Sequence, residues 1–292
     1  MTEKLVLAPP TTSFVSSRAG SLLRSARRPG TATVALALGT LLLVTAWALV
    51  PGVFAPGDPI AGSLADALQP PSAAHWFGTD ATGRDVYTRV VHGAANTLAS
   101  ALLAVSLGLI VGTLLGLVAG SGPRWVDASL MRLVDVLLSI PGLLLSLSVI
   151  IILGFGLMQI ALAVAVTSIA AFARLVRGEV LRVRSADFIE AAYASGGTFG
   201  TVMFRHILPN SLAPVFALAA LQFGMAILAI SALGFLGYGA PPPAPEWGLM
   251  IAEGRDYVAT AWWLTTIPGI VVVLVVLATN RLSAAISTRS AR

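Results

Sequence analysis

Few side chains in this 292-residue sequence are equipped for chemistry. There is no cysteine, which excludes thiolate catalysis, disulfides and Cys-ligated metals together. Lys4 is the sole lysine and lies in no G-x-x-x-x-G-K-[ST] motif, so the chain has no P-loop to cradle a nucleotide. His75, His92 and His206 are far apart, with no His-x-x-x-His pair of the kind a zinc site uses. None falls within a hydrophobic segment, where it would be needed to activate a serine. Asp80 and Asp85 flank Gly83-Arg84. Two nearby carboxylates suit acid–base work, but the arginine between them favours a surface turn pinned by an Asp–Arg pair. The residue inventory describes no enzyme, and it assigns no catalytic, cofactor-binding or metal-binding residue.

The elements that carry these residues are mostly apolar. Hydrophobic residues make up 57% and charged residues 11%, too few charges for a soluble domain of this size. A bilayer crossing needs about 20 apolar residues, and six stretches qualify: 31–54, 96–119, 130–153, 157–177, 211–236 and 262–282. The first competes with a secretory signal peptide, but its apolar run exceeds a usual signal core and its basic leader is long. The expected fold is an all-α integral membrane protein with six transmembrane helices. Pro141, inside the third stretch, predicts a kink there. Segments 1–30 and 283–292 are tails, and the loop 178–210 lies on their side of the membrane. On that side the tails with Arg281, the 120–132 turn and the 174–206 stretch hold 15 of the 18 Lys and Arg residues. The opposite loops, 55–95 and 237–261, hold only Arg84, Arg89 and Arg255. The positive-inside rule then places both termini in the cytoplasm. Trp262 and Trp263 would sit at the outer interface and Trp125 at the inner one. From Glu246 onward the second outer loop predicts a short helix on the outer surface.

The middle of every expected span lacks Asp, Glu, Lys, Arg and His. Proton- and ion-coupled carriers place such residues inside the membrane, so this weighs against one, although sodium held by carbonyls and hydroxyls stays open. Six spans without an internal repeat also make a poor complete carrier. Asp135, three residues from Arg132, predicts a local helical ion pair. The chain thus reads as half a pore without an engine. Its one long polar insertion on the basic side is Asp187–Asn210, two short amphipathic pieces around Gly196-Gly197. In the second piece Phe199, Val202, Met203, His206 and Ile207 fall on one helix face. Thr198 is its predicted N-cap, and Pro209 marks where a new helix can begin.

Glu190-Ala191-Ala192, then Gly196, then His206-Ile207-Leu208-Pro209, is similar to the EAA signature of ABC importer permeases. His206, where isoleucine is frequent, resembles the dipeptide, oligopeptide and nickel branch. So do His75-Trp76-Phe77-Gly78-Thr79-Asp80 with Gly83-Arg84-Asp85, Met131 to Asp135, and Glu246-Trp247-Gly248 behind Pro242-Pro243. The resemblance covers residues 30 to 285 and implies the C-type permease subunit of a type I importer in a bacterial or archaeal plasma membrane. It implies a second permease subunit forming a heterodimer, two ATP-binding subunits or domains that hold the ATP and magnesium, and an extracytoplasmic substrate-binding protein. It also implies that Glu190 through Ser195 form a coupling helix docked on the ATPase, aimed by Gly196 and Gly197. Glu190, Ala191, Ala192, Ser195, Gly196, Gly197, His206 and Pro209 are the expected coupling residues. Peptides are the expected cargo, with nickel chelates, haem and other small solutes as alternatives.

Overall fold

The computed structural model describes residues 31–290; the basic tail expected over 1–30 and the last two residues lie outside them. Nine helices of eight residues or more make up the described chain: α1 (Thr31–Leu49), α2 (Val86–Ser121), α3 (Arg124–Ser139), α4 (Gly142–Leu153), α5 (Leu157–Arg184), α6 (Asp187–Ala194), α7 (Phe199–Phe235), α8 (Trp247–Gly254) and α9 (Trp263–Ser290). Five of them, α1, α2, α5, α7 and α9, are long and apolar enough to cross a membrane.

The sixth crossing expected over 130–153 is broken. Helices α3 and α4 meet at a bend of 98° around Pro141. A residue before proline is pushed out of the helical region, and Ile140 is extended at φ −86° and ψ 130°, so α3 stops at Ser139. Helix α2 starts at Val86, ten residues before the expected 96, because the Asp85 carboxylate accepts from Thr88 N and Oγ1, both at 2.8 Å. Its first turns carry Arg89 and His92, which hid them from a charge-free criterion. Helices α5 and α9 likewise continue past 177 and 282. Pro209 stands in the first turn of the α-helical stretch Leu208–Phe235, as expected, but that stretch follows the preceding turns without a break, so all belong to α7. The proline ring lacks an N–H and crowds the preceding turn, and a π-turn over Met203–Ile207, closed by Leu208 N on the Met203 carbonyl, absorbs both effects. Asp135 pairs with Arg174 on α5 rather than with Arg132. Nearby, Arg177 grips Asp127 with two bonds of 2.9 and 2.6 Å, so α3 is tied to α5 by its charges.

The centre of the packing is the seam between α2 and α5. Gly108, Gly112, Gly116 and Gly120 recur every fourth residue and so share one face of α2. A methyl on Gly112 would lie 2.5 Å from Phe172 Cβ and 2.7 Å from the Ile169 carbonyl oxygen. One on Gly108 would meet Ser168 Cβ at 2.5 Å, and one on Gly116 would meet Val176 Cβ at 2.7 Å. The two backbones are therefore close enough for dispersion to hold them where lipid supplies no hydrophobic drive. At the end of the seam Arg184 donates to the Gly120 carbonyl at 2.6 Å, closing the C-terminus of α2 with a cation.

Gly112→Val should overpack this seam and lower stability by about 1–3 kcal/mol. Gly178→Ala, on the exposed face of α5 with nothing within 4 Å of the added methyl, should instead gain about 0.5–1 kcal/mol from helix propensity. Thermal unfolding of the detergent-solubilised protein checks both, and equal midpoints for the two variants would remove the seam from the account.

Candidate functional site

The residues expected to act on a partner gather at an elbow between α5 and α7. Asp187 and Glu190 place negative charge in the first turn of α6, where the helix dipole favours it. The helix ends in a Schellman motif, with Gly196 N bonded to the Tyr193 carbonyl at 2.9 Å and Gly197 N to the Ala192 carbonyl at 3.0 Å. Gly196 has φ +87°, a left-handed conformation that a side chain rarely adopts. Gly197 is required for a different reason: a methyl there would lie 2.7 Å from the Ala192 carbonyl oxygen. Ser195 Oγ turns back to the Ala191 carbonyl at 2.8 Å. As expected, Thr198 caps the next helix by accepting from Thr201 N, and Val202, Met203 and Ile207 are buried beneath it.

Of the eight residues of α6 only Ile189 is buried, with Ala192 half-buried; Asp187, Phe188, Glu190, Ala191, Tyr193 and Ala194 are exposed. Ile189 is 2% exposed and sits in the cluster that contains Val202, Met203 and Ile207. Ile189, with Ala192 beside it, thus pins α6 to the cluster at the start of α7 while the rest of its surface is uncovered. Phe188, Tyr193 and Phe199 are each at least 40% exposed, which adds aromatic area to that surface. Among the described residues the Glu190 carboxylate has no ion-pair partner. Of the expected coupling residues, Glu190 to Gly197 share this elbow. His206 is half-buried in the π-turn, where its carbonyl accepts from Asn210 Nδ2 at 2.6 Å, and Pro209 is exposed just after that turn. The pin itself, Ile189, carries no mark in the sequence beyond being apolar beside Glu190.

At the opposite end the two expected outer loops are knitted together. Arg84 Nε donates to Asp80 Oδ2 at 2.6 Å, as the Asp–Arg turn requires, but the pair is buried rather than on a surface. Arg89, 1% exposed, donates to Glu253 of α8 at 3.0 Å and to the carbonyls of Pro59 and Pro243 at 3.1 and 3.2 Å. Two guanidinium groups and two carboxylates close this latch with balanced charge. Burial alone would raise the Asp80 carboxyl, yet bonds from the Arg84 and Thr82 backbones and the Thr82 hydroxyl hold it below its ordinary value. Helix α8 is also not the surface helix expected: Trp247, Gly248, Leu249 and Met250 are buried. Trp247 donates its ring N–H to the Val90 carbonyl at 2.9 Å, and Gly248 sits where a methyl would lie 2.3 Å from the Ser231 carbonyl. Glu246 caps α8 by accepting from Gly248 N and Leu249 N, each at 2.8 Å, and is itself fully buried. Burial pushes its carboxyl up, against those bonds and a third from Thr97.

Residues 112–292 match the family model described as the binding-protein-dependent transport system inner membrane component. The dipeptide transport system permease protein DppC of Alkalihalophilus pseudofirmus is 44% identical over 249 residues, 84% of this chain and 82% of that protein. The chain belongs to this family. The permease is also 42% identical to the di/tripeptide permease DppC of Pseudomonas aeruginosa over 246 residues, 82% of this chain and 81% of that one. The glutathione transport system permease GsiD of Pectobacterium atrosepticum is 42% identical over 212 residues, 73% and 70% of the two chains. In fold, the permease is similar to a chain of the MetNI methionine ABC transporter in an inward-facing conformation, with TM-score 0.55 and 20% identity over 68% of this chain and 96% of that one. A chain of an amino acid ABC transporter gives TM-score 0.56 at 17% identity, over 70% of this chain and 94% of that one. The permease is therefore a multi-pass ABC importer component of the membrane, a pore-forming part that works with partner subunits and has no ATPase site of its own.

Because Glu246 sits above the ordinary carboxylate value in the folded permease, folding takes up a proton there. The stability this contributes is complete below the ordinary carboxylate range and is lost as pH rises through the raised value. Glu246→Gln removes the ionisation and should flatten that loss. Midpoints measured across a pH series in detergent check it, and parallel curves for wild type and variant would contradict it.

Proposed function

We propose that the permease forms half of the translocation pore of an ATP-driven importer of short peptides and that α6 is the point where force from the ATPase enters. The observation that carries the reading is the nearly naked α6, a short helix held to its own chain by Ile189 with Ala192 beside it, at the end of a protein with no nucleotide site. The relatives named above are permeases for dipeptides, di/tripeptides and glutathione, and all three cargoes are short peptides. That common class supports peptides over nickel chelates or haem. On this reading a second permease completes a heterodimeric pore, and an extracytoplasmic binding protein delivers the peptide. Two ATP-binding subunits or domains hold ATP and magnesium. Glu190, Ala191, Ala192 and Ser195 face the ATPase, Gly196 and Gly197 aim the helix, and His206 and Pro209 sit in the turns that receive its movement. ATP-driven closure of the ATPases favours one of two pore arrangements and so shifts the population between inward- and outward-open forms. The bacterial relatives support a bacterial plasma membrane, and the distribution of Lys and Arg supports both termini and α6 in the cytoplasm.

Gly196→Trp projects a large side chain from the elbow and should leave the complex assembled and hydrolysing ATP. Uptake should fall about 5- to 150-fold, the range typical of a coupling free energy between sites. Gly196→Asn, which tolerates a left-handed backbone, should transport nearly as wild type. Uptake and ATP turnover measured together in proteoliposomes decide this; undiminished transport by the tryptophan variant would remove α6 from the coupling path. Since the chain has no cysteine, an impermeant thiol reagent gives the topology directly. It should reach Ser195→Cys only from the cytoplasm and Val258→Cys only from outside, and the reverse pattern would overturn the orientation.

A further inference from the structure

Helices α4, α5 and α7 enclose a cleft of about 600 Å³, and it has an unusual lining for a membrane-embedded surface. Gln222, midway along α7, faces it together with Ser146 of α4 and Thr167 of α5. Thr167 returns its hydroxyl to the Val164 carbonyl at 2.8 Å. Gln222 and Ser146 have no hydrogen-bond partner among the described residues, although Ser146 is only 2% exposed. None of the fourteen lining residues is charged.

A free primary amide at mid-span is expensive against hydrocarbon, because nothing there can satisfy it. Helix periodicity shows where the cleft leads. On α5 the lining positions Val164 and Ala171 continue at three- and four-residue steps into Leu175 and Glu179; on α7 Gln222 continues into Leu218 and Pro214. Those four residues line a second cleft of about 520 Å³ toward the elbow end. One helical face thus runs from mid-membrane to the side where α6 lies. Both volumes fall in the range of about 300–1,000 Å³ that small-molecule sites occupy.

We infer that this face is the wall along which the solute passes and that Gln222, with Ser146, hydrogen-bonds the amide groups of a short peptide in transit. The inference rests on the importer reading above and adds to it the residues that meet the cargo. An amide offers both donors and an acceptor and so matches a peptide group whatever side chains flank it. At mid-membrane the wall carries no fixed charge, and toward the elbow Glu179 and Arg182 are paired with each other, so it neither traps nor rejects a peptide for its ionised ends, and conduction requires such weak holding.

The test uses the complete importer in proteoliposomes, with labelled dialanine as the probe. If the wild-type complex shows no ATP-driven uptake of the probe, the importer reading itself falls. If wild type transports, a charged, water-soluble thiosulfonate should modify Gln222→Cys above the wild-type labelling background and stop uptake. Excess dialanine with ATP should slow that modification several-fold. Gln222→Leu should lower maximal uptake about tenfold, the effect of one hydrogen bond lost at the barrier, with KM and ATP hydrolysis within about twofold, and Gln222→Asn should recover most of the rate. Modification of Gln222→Cys only by a membrane-permeant maleimide would mean that the face meets lipid. No modification by either reagent would mean that the second permease covers it. Either result, or a leucine variant transporting at the wild-type rate, overturns the assignment.

Discussion

Inside a bilayer no water drives apolar side chains together, so two helices hold by approaching until their backbones touch. Along α2 the small residues Ser100, Ala104, Gly108, Gly112, Gly116 and Gly120 are all buried at intervals of four, and the last four leave no room for a methyl against α5. This seam fixes the position of the helix that carries Arg174, Arg177 and Arg184 at one end and lines the cleft at its middle. Helix α3 hangs from it through Asp127 and Asp135. The elbow departs directly from its last turn. Loosening the seam would move all three features at once.

Charge is confined to the two ends, and it does different work at each. At the loop end four of the charges form a matched cluster that is mostly buried. Asp80, Arg84, Arg89 and Glu253 bind the first outer loop to α8, and losing any one member would leave a buried charge uncompensated. At the elbow end the charges are solvated, and one helix surface is left without a covering. An end held shut by its own chain and an end open to a partner fit a machine whose moving force comes from outside the polypeptide.

The sequence made the class of the fold and the place of the elbow legible, because both depend on composition and local pattern. Charge-free runs locate α1, α5, α7 and α9, and the Gly196-Gly197 pair announces the end of α6. Legibility failed where long-range contacts override local rules. Arg89 and His92 look like loop residues, yet the Asp85 cap, the bond of Arg89 to Glu253 of α8 and that of His92 to the Ala55 carbonyl keep them helical. Trp247 and Glu246 look like parts of a surface helix, but Gly248 and Gly234 let α8 sink between spans, and a methyl on Gly234 would lie 2.5 Å from Glu246 Oε2. Asp135 finds Arg174 instead of its near neighbour because α3 lies along α5. The four-residue glycine spacing on α2 was a visible signal of the seam; Ile189 and Gln222 had none, since their roles depend on which way each helix is turned.

That rotation also relates the two ends of α7 to each other. The helix is 37 residues long, about 55 Å at 1.5 Å per residue. It is gripped near its start by Ile189 and presents Gln222 to the cleft at its middle. Between the two lie the Met203–Ile207 π-turn, with its wider hydrogen-bonded ring, and Pro214, which removes one more bond from the helix ladder. A rigid rod would carry any displacement of α6 undiminished into the cleft wall. A rod with a soft turn just above its grip can bend first, so the wall shifts only when the push exceeds what the turn absorbs. Pro209 crowds that turn, so if α6 docks on a partner as proposed, a residue outside both α6 and the cleft would help set how firmly one is connected to the other.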